Sequence, residues 1–377
     1  MLLKGYFLFI LAVFSLSASY YVGGGNIHSG VFPELYILKH LSLAILATVY
    51  FLRNALFYRR VHIYLIFIFS PYLFYLFIDN GIVFFQFSVF ILSSIFLSKM
   101  YENYFLPFWM ILLYALIIAS VPIIDFIYNS DSFLLNSFYG RERLLLGYSH
   151  PKEGSSVFLV LFLIILFSKK VTGNFFNIFF HLCAITLLFY MQSRNALLLY
   201  VNFIFFNALI EKFGLKISLI SIVLIYLVIP ILSIGYFFHE LDVLSSFRLT
   251  RWVNMVDISV FGRIFDIKES GWMLFQSKHH VDNYYFEVLT EIGYFPLFLL
   301  IISLLYVCNY IKYVKVNGYS ILGLFISFLI YCFFDASMFS TGNFLNLFIW
   351  SVTIYAITNK HNLLSQSFTL MNIALKK

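Results

Sequence analysis

The residues from Phe295 to Asn309 read FPLFLLIISLLYVCN and contain no charged side chain. They form the centre of a longer apolar run, residues 285–309, which meets the length of about 20 mostly apolar residues that a helix needs to cross a bilayer. A run of this length and composition is typical of a transmembrane helix rather than of the core of a soluble domain. The fold class therefore depends on how often such runs recur along the chain.

Apolar runs of this kind recur along the whole chain of 377 residues. The length rule predicts about twelve spans. They cover residues 5–22, 36–57, 61–78, 82–98, 104–125, 154–168, 174–191, 195–210, 215–237, 285–309, 318–335 and 342–358. Hydrophobic residues make up 62% of the chain and charged residues 11%, whereas soluble domains have roughly 25% charged residues. The sequence predicts an all-α polytopic membrane protein with one membrane domain over residues 1–377, and excludes a soluble enzyme, a nucleic-acid-binding domain and a secreted disulfide scaffold.

Basic residues between the predicted spans indicate how the chain is oriented in the membrane. Eleven of the 15 lysines and three of the nine arginines lie in segments on one side. Because positive charge is retained in cytoplasmic loops, this side and both termini are predicted to be cytoplasmic. The outer side has two loops longer than about 15 residues, 126–153 and 238–284, and such loops are usually functional. We expect these two loops to form the active site.

The remaining arginines lie on the predicted outer side, contrary to the rule that positive charge is retained in cytoplasmic loops. They are Arg141, Arg143, Arg194, Arg248, Arg251 and Arg263. The planar guanidinium group binds phosphate through two parallel hydrogen bonds. Structural ion pairs with outer acids such as Glu142, Asp257 and Asp266 are the alternative interpretation for any single arginine. The set as a whole favours an anion site on the outer face.

The first outer loop contains a compact group of basic residues. Residues 140–143 read Gly-Arg-Glu-Arg, and Gly147 and His150-Pro151 follow before the next span. This segment offers two guanidinium groups and an imidazole close to the membrane surface. The alternative interpretation is a helix–turn element whose arginines extend to the lipid headgroups.

The local sequence around three other outer arginines also bears on the predicted anion site. Arg194 lies in a tight turn between two predicted spans, where residues 192–195 read Gln-Ser-Arg-Asn. A lone arginine in such a turn would normally extend to lipid phosphate. Arg248 and Arg251, in the second outer loop, share one face if their segment is helical. Their spacing would put two guanidinium groups one turn apart, which suits an anion.

The second outer loop ends in a segment rich in polar and ionisable residues, residues 279–293, which read HHVDNYYFEVLTEIG. Asp282 and Asn283 can cap the next span, because their side chains accept hydrogen bonds from free N–H groups at a helix start. Glu287 and Glu291 are one turn apart on that helix, just inside the membrane. Two like charges there need partners such as the outer arginines.

Together these regions resemble the O-antigen polymerase and O-antigen ligase superfamily of bacterial envelope glycosyltransferases. That family has many spans, a large outer loop before the last few, an arginine followed four residues later by tryptophan, and a short Ser-Arg turn. It also has an Arg–Gly–His-Pro segment entering a span, and a His-Asn-x-Tyr segment that runs on to Glu-x-Gly. The matching residues are Arg248 and Trp252, Ser193-Arg194, Arg143 with Gly147 and His150-Pro151, Asp282-Asn283-Tyr284-Tyr285, and Glu291 with Gly293. The resemblance implies a GT-C-like membrane glycosyltransferase.

One departure from the family pattern bears on the activity. Ligases carry a histidine immediately before the asparagine, where this chain has Asp282, and the polymerase branch is therefore favoured. The resemblance implies transfer of a polyprenyl-pyrophosphate-linked glycan onto the non-reducing end of a lipid-linked repeat unit, at the periplasmic face of the bacterial inner membrane. It implies lipid-linked oligosaccharides, membrane lipids and a chain-length regulator protein as partners. No cofactor, metal or nucleic acid is expected.

The resemblance also implies roles for the outer residues. Charge develops on the pyrophosphate as it leaves, so preorganised guanidinium groups would assist its departure. The expected pyrophosphate-binding residues are Arg194, Arg248 and Arg251, with Arg141 and Arg143 assisting. The expected catalytic residues, which would include a base for the acceptor hydroxyl, are His280, Asp282 and Glu287. The expected substrate-binding residues are His150, Trp252, Asn283, Tyr285 and Glu291.

Three alternatives stay open. An O-antigen ligase would move finished glycan onto a lipid A core. A lipid-linked oligosaccharide flippase or other transporter would need a charged central cavity and internal repeats, whereas this chain concentrates its charge on the outer side. A structural subunit would only bind polyprenyl lipid.

Overall fold

The computed structural model describes residues 73–74, 81–99, 108–128, 136–138, 141–143, 146, 148, 151–168, 174–191, 193–225, 239, 283–335, 338–339 and 343–358. Within these ranges the chain is mostly helical. The helices are α1 (Gly81–Lys99), α2 (Phe108–Tyr128), α3 (Pro151–Ser168), α4 (Asn174–Tyr190), α5 (Arg194–Val223), α6 (Tyr284–Ile292), α7 (Tyr294–Ile311), α8 (Ile321–Tyr331) and α9 (Phe344–Thr358). Two short antiparallel hairpins pair β1 (Asn136–Phe138) with β2 (Arg141–Arg143), and β3 (Lys315–Val316) with β4 (Tyr319–Ser320).

The described helices lie where the apolar runs predict spans. Two of them, Arg194–Ser221 and Tyr294–Ile311, are long and apolar enough to cross a membrane. These two helices indicate that the protein associates with a membrane. The full count of spans stays a prediction: residues 5–22 and 36–57 lie outside the described residues, and 61–78 is described only at residues 73–74.

A glycine interrupts α5 near its C-terminal end. Gly214 has φ 75° and ψ 172°, a conformation that glycine adopts readily and other residues rarely do. The regular part of α5 before it, residues 194–213, is about 30 Å long at 1.5 Å per residue, which matches the hydrocarbon thickness. The break falls between the predicted spans 195–210 and 215–237.

A second glycine divides the predicted span 285–309 into two helices. Gly293, with φ 91° and ψ −176°, ends α6 and precedes α7. The prediction of one continuous span was wrong here, because α6 is a separate helix of nine residues. Glu287 and Glu291 therefore lie on this short helix and not at the start of the apolar helix α7.

The core forms around α3, which contacts α2, α4, α5 and α9. Phe167 of α3 is fully buried, and its ring centre lies 5.9 Å from that of Phe203 on α5. Phe325 of α8 meets Trp350 of α9 edge-on, with ring centres 5.3 Å apart. Lipid tails are as apolar as these rings, so close van der Waals contact rather than escape from water would stabilise such packing in a bilayer.

Helix α7 presents its apolar side chains outwards. Phe298 is 60% exposed and Leu305 is 63% exposed. A soluble protein rarely exposes so many large apolar side chains on one helix, whereas a helix in contact with lipid needs them. The surface of α7 thus agrees with its membrane-spanning composition.

The β3–β4 hairpin closes the bundle at one end, called here the inner end. Its two-residue turn is Asn317-Gly318, and both residues have positive φ, 50° and 90°, as the tight hairpin turn requires. The Asn317 Nδ2 atom donates a hydrogen bond to the Phe167 carbonyl oxygen. On the other strand, the backbone N–H of Ser320 donates to Oδ1 of Asn207 on α5, at 2.6 Å. The hairpin is therefore fixed to both α3 and α5.

Candidate functional site

At the opposite end of α8, the turn of residues 332–335 joins segments that are far apart in sequence. This end is called here the outer end. Asn195, in the first turn of α5, donates from Nδ2 to the Phe334 carbonyl oxygen at 2.6 Å. The backbone nitrogen of Tyr284, the first residue of α6, lies 3.0 Å from the Cys332 carbonyl oxygen and 3.1 Å from that of Asp335. The starts of α5 and α6 are thus both held at one turn.

The 332–335 turn contains a buried acid. Asp335 is 1% exposed, and its Oδ2 atom accepts a hydrogen bond from the Tyr331 hydroxyl. The Tyr331 oxygen in turn lies 3.4 Å from Nδ2 of Asn343, at the start of α9. A buried ionisable residue in a membrane domain is costly and usually marks a functional site. Asp335 is not among the residues predicted from the sequence; the available signal is an acid that closes the apolar run 318–335.

Aromatic rings pack together beside this turn. The Phe339 ring lies 4.9 Å from Phe87 of α1, 5.9 Å from Tyr284 of α6 and 5.0 Å from Trp350 of α9. The ring of Tyr285 lies 4.5 Å from that of Phe333. Phe339 and Trp350 are buried, whereas Phe333, in the turn itself, is 46% exposed.

Arg194 is the first residue of α5, and its side chain is exposed. A cation at a helix N-terminus is unfavourable, because the helix dipole is positive there. Helix stability therefore does not explain this arginine. The preceding residue, Ser193, makes no capping hydrogen bond with its side chain. Arg194 and the first N–H groups of α5 together form a place suited to an anion.

The segment that precedes α7 starts with a helix cap. Asn283 is fully buried, and its Oδ1 atom accepts from the backbone N–H groups of Tyr285 at 3.0 Å and Phe286 at 3.2 Å. The capping role considered for Asn283 is therefore present. Its Nδ2 atom is also buried, and it has no hydrogen-bond partner in the part of the chain that the structure describes.

Three other predicted site residues lie on α6. The Tyr285 hydroxyl donates to the Leu329 carbonyl oxygen of α8 at 3.1 Å, so it anchors α6 within the bundle. Glu287 and Glu291 are partly buried, and the Oε2 atom of Glu287 is inaccessible to solvent. The catalytic and substrate-binding roles expected for these residues stay predictions.

The first outer loop reaches the same end through Tyr148. A Cβ atom added at Gly154 of α3 would lie 2.9 Å from the Tyr148 ring and 2.7 Å from Cε of Met191. Tyr148 and Met191, which closes α4 before the Arg194 turn, therefore both pack against Gly154. Burial raises the pKa of the Tyr148 hydroxyl well above its usual range, so it stays protonated and can donate. Its oxygen has no hydrogen-bond partner within the described ranges.

The basic group of the first outer loop is a hairpin. Arg143 pairs with Asn136, and Arg141 pairs with Phe138. The helix–turn interpretation of this segment was wrong, because residues 141–143 form strand β2. Several predicted site residues lie outside the described residues: His150, Arg248, Arg251, Trp252, His280 and Asp282.

Among the residues that the structure describes, no group of three His, Cys, Asp or Glu side chains could hold a metal ion. No protein-family model, curated protein or solved structure matches the chain. The arrangement of residues at the outer end is therefore what bears on function. There the described parts of all three sequence regions approach one another: Tyr148 next to Met191, Asn195 on Phe334, and Tyr284 on the same 332–335 turn.

Proposed function

We propose that the protein is an oligosaccharide repeat-unit polymerase of the O-antigen or capsule type. It transfers a polyprenyl-pyrophosphate-linked glycan onto the non-reducing end of a lipid-linked repeat unit at the periplasmic face of the bacterial inner membrane. One observation carries the proposal: three separate regions, around Tyr148, Arg194 and Asn283, meet at one end of a set of apolar helices. A reaction between two lipid-linked substrates needs such a site, next to the membrane and built from several loops.

The proposed chemistry is a single displacement. The acceptor hydroxyl oxygen bonds to the anomeric carbon of the donor, the bond from that carbon to the phosphate oxygen breaks, and lipid pyrophosphate leaves. Arg194, beside the uncapped start of α5, stabilises the charge that develops on the leaving group. In the proposal, Arg248 and Arg251 complete the pyrophosphate site, with Arg141 and Arg143 assisting.

The acceptor proton needs a base, for which His280 and Asp282 are proposed. Pyrophosphate is a good leaving group, so the base contributes less than the arginines do. Glu287 and Glu291 lie on the helix that the Asn283 cap begins. Glu287 is proposed to act with His280 and Asp282 as a catalytic residue, and Glu291 to bind the substrate. The buried ring and amide groups around them hold that helix in one position.

The proposed architecture is GT-C-like, with about twelve spans and both termini in the cytoplasm. It is supported by helices α1 to α9, which lie on the predicted spans from residue 82 onwards. It is also supported by the positions of Lys312 and Lys315. They lie at the inner end with the hairpin, away from the 332–335 turn, as the positive-inside rule requires.

The experiment that tests the proposal is reconstitution of the purified protein in liposomes with a lipid-linked repeat unit as the only sugar substrate. We expect a ladder of lipid-linked oligomers on a gel, without a lipid A core acceptor. Elongation that requires the core acceptor would identify a ligase instead. Movement of the repeat unit across the bilayer without bond formation would identify a flippase.

A further inference from the structure

The buried acid of the 332–335 turn has no part in the proposed displacement. Asp335 is almost fully buried and accepts a hydrogen bond from the Tyr331 hydroxyl. Tyr331 is buried as well, and its oxygen lies 3.4 Å from the Asn343 amide. Asp335, Tyr331 and Asn343, called here the outer cluster, thus connect the end of α8 to the start of α9.

The outer cluster is next to the contacts that hold α5 and α6. Asn195, which follows Arg194, donates to the carbonyl oxygen of Phe334, which precedes Asp335. Arg194 directly precedes Asn195 in the chain, and Asp335 directly follows Phe334, so this hydrogen bond brings the basic and the acidic residue to the same place. The Tyr284 nitrogen also approaches the carbonyl oxygen of Asp335 itself. The starts of α5 and α6 are thus both hydrogen-bonded to the turn that Asp335 ends.

We propose that Asp335, held by Tyr331, is a positioning residue of the site. It fixes the position of the 332–335 turn. The turn then holds the start of α5, at Arg194, in place relative to the start of α6, at Asn283. The inference rests on the proposed function, in which Arg194 binds the leaving pyrophosphate. A guanidinium group stabilises a transition state only when it is already in place, and displacements of about 1 Å can cost two orders of magnitude in rate.

The first test compares the same substitution at two buried tyrosines. Tyr331→Phe removes the hydroxyl that holds Asp335, whereas Tyr114→Phe removes a hydroxyl that joins α2 to α3 through the Val157 carbonyl oxygen, at 3.1 Å. In the reconstituted elongation assay, we expect Tyr331→Phe to lower kcat about tenfold or more with KM within about threefold, because transition-state stabilisation is lost. Tyr114→Phe should keep kcat within about twofold. Equal kcat values in the two variants would overturn the inference.

The second test asks whether the hydrogen bond to Asp335 is what matters. Asn can still accept from the Tyr331 hydroxyl, whereas Ala cannot. Asp335→Asn should therefore retain several times more kcat than Asp335→Ala. Equal loss in the two variants would contradict positioning through this hydrogen bond. Thermal unfolding of each purified variant, compared with that of Tyr114→Phe, shows whether the protein has folded.

A double-mutant cycle separates positioning from general damage to the fold. If Tyr331 and Asp335 act through Arg194, then Tyr331→Phe should lower the residual rate of an Arg194→Ala protein by less than about twofold. A merely structural role would lower both rates by the same factor, and this result would overturn the inference while leaving the proposed polymerase intact. If the wild-type protein does not elongate the lipid-linked unit, the proposed function fails first.

Discussion

Two asparagines of α5 bind opposite ends of α8, and their surroundings differ. At the inner end, Asn207 accepts from the Ser320 N–H at 2.6 Å and donates to the Phe203 carbonyl oxygen at 2.8 Å. At the outer end, Asn195 donates to the Phe334 carbonyl oxygen at 2.6 Å. Both contacts join an asparagine amide to the backbone at 2.6 Å, but Asn207 accepts and Asn195 donates. Only the outer contact lies next to a basic and an acidic residue, Arg194 and Asp335.

The two ends of α8 also differ in the polar groups that are buried there. The polar contacts at the inner end pair neutral groups, and Ser320 also caps α8 by accepting from the Gly323 N–H at 3.2 Å. At the outer end, an acid is buried and two donors, the Tyr148 hydroxyl and the Asn283 amide nitrogen, lack partners in the described chain. Buried charges and unsatisfied polar groups are costly in a membrane protein. These costs at the outer end are what a site for the proposed reaction would require, and the inner end has no such features among the described residues.

The largest effect is expected from removing the charge at the outer start of α5. Arg194→Ala should lower the elongation rate about 100-fold to 1,000-fold, as does the loss of one group that stabilises a transition-state anion. The matched control is Lys212→Ala, which removes an exposed cation from the other end of the same helix. The measurement is kcat for elongation of a lipid-linked repeat unit. Equal rates in the two variants would show that the two ends of the helix do not differ in their role in elongation.

The apolar runs predicted most of the helices well, because a span is encoded by composition over about 20 residues. The predicted span 82–98 corresponds to the helix Gly81–Lys99, and the predicted span 154–168 corresponds to the helix Pro151–Ser168. The break at Gly293 was not predicted, since apolar residues continue on both sides of it. Its backbone conformation, φ 91°, is set by how α6 and α7 pack and has no signature in hydropathy.

The site could be predicted only where a residue is unusual for its local position. Arg194 stands out as a cation in a short outer turn, and Asn283 as a helix cap. Asp335 was not predicted, because the turn that contains it is formed by contacts between distant residues, such as that from Asn195 to Phe334 across 139 positions of sequence. Pairing over such a distance leaves no local pattern. The hairpin at residues 141–143 was missed for a similar reason, since its register depends on residues 136–138.

A pair of substitutions at the two asparagines should separate activity from stability. Asn207→Ala leaves the Ser320 N–H without its partner and should lower the free energy of unfolding by about 1–3 kcal/mol, while kcat of the folded protein changes little. Asn195→Ala should cost a similar free energy but also lower kcat about tenfold, because Arg194 is then less well positioned. Chemical unfolding in detergent and the elongation assay supply the two measurements. If Asn207→Ala lowers kcat as much as Asn195→Ala does, the ends do not differ in function.

A smaller effect is expected at the cap of α6. Asn283→Ala removes the acceptor for the Tyr285 and Phe286 N–H groups and should lower the free energy of unfolding by about 1 kcal/mol. Asn283→Ser keeps an oxygen that can cap and should restore most of this loss. If Asn283 also binds substrate through its buried Nδ2, the serine variant will be stable but will show a raised KM. Wild-type KM in the serine variant would limit Asn283 to capping.

The smallest effect on stability is expected at Tyr148, where a Tyr→Phe substitution can be set beside the same substitution at Tyr331. Tyr148→Phe removes a buried hydroxyl that has no partner among the described residues, so the free energy of unfolding should stay unchanged or rise by up to about 1 kcal/mol. At Tyr331 the same substitution breaks a hydrogen bond to Asp335 and should destabilise the protein. If Tyr148→Phe also leaves kcat unchanged, the hydroxyl has no role in transfer. If kcat falls while stability does not, the protonated phenol donates to a substrate, since the described residues offer its hydroxyl no other partner.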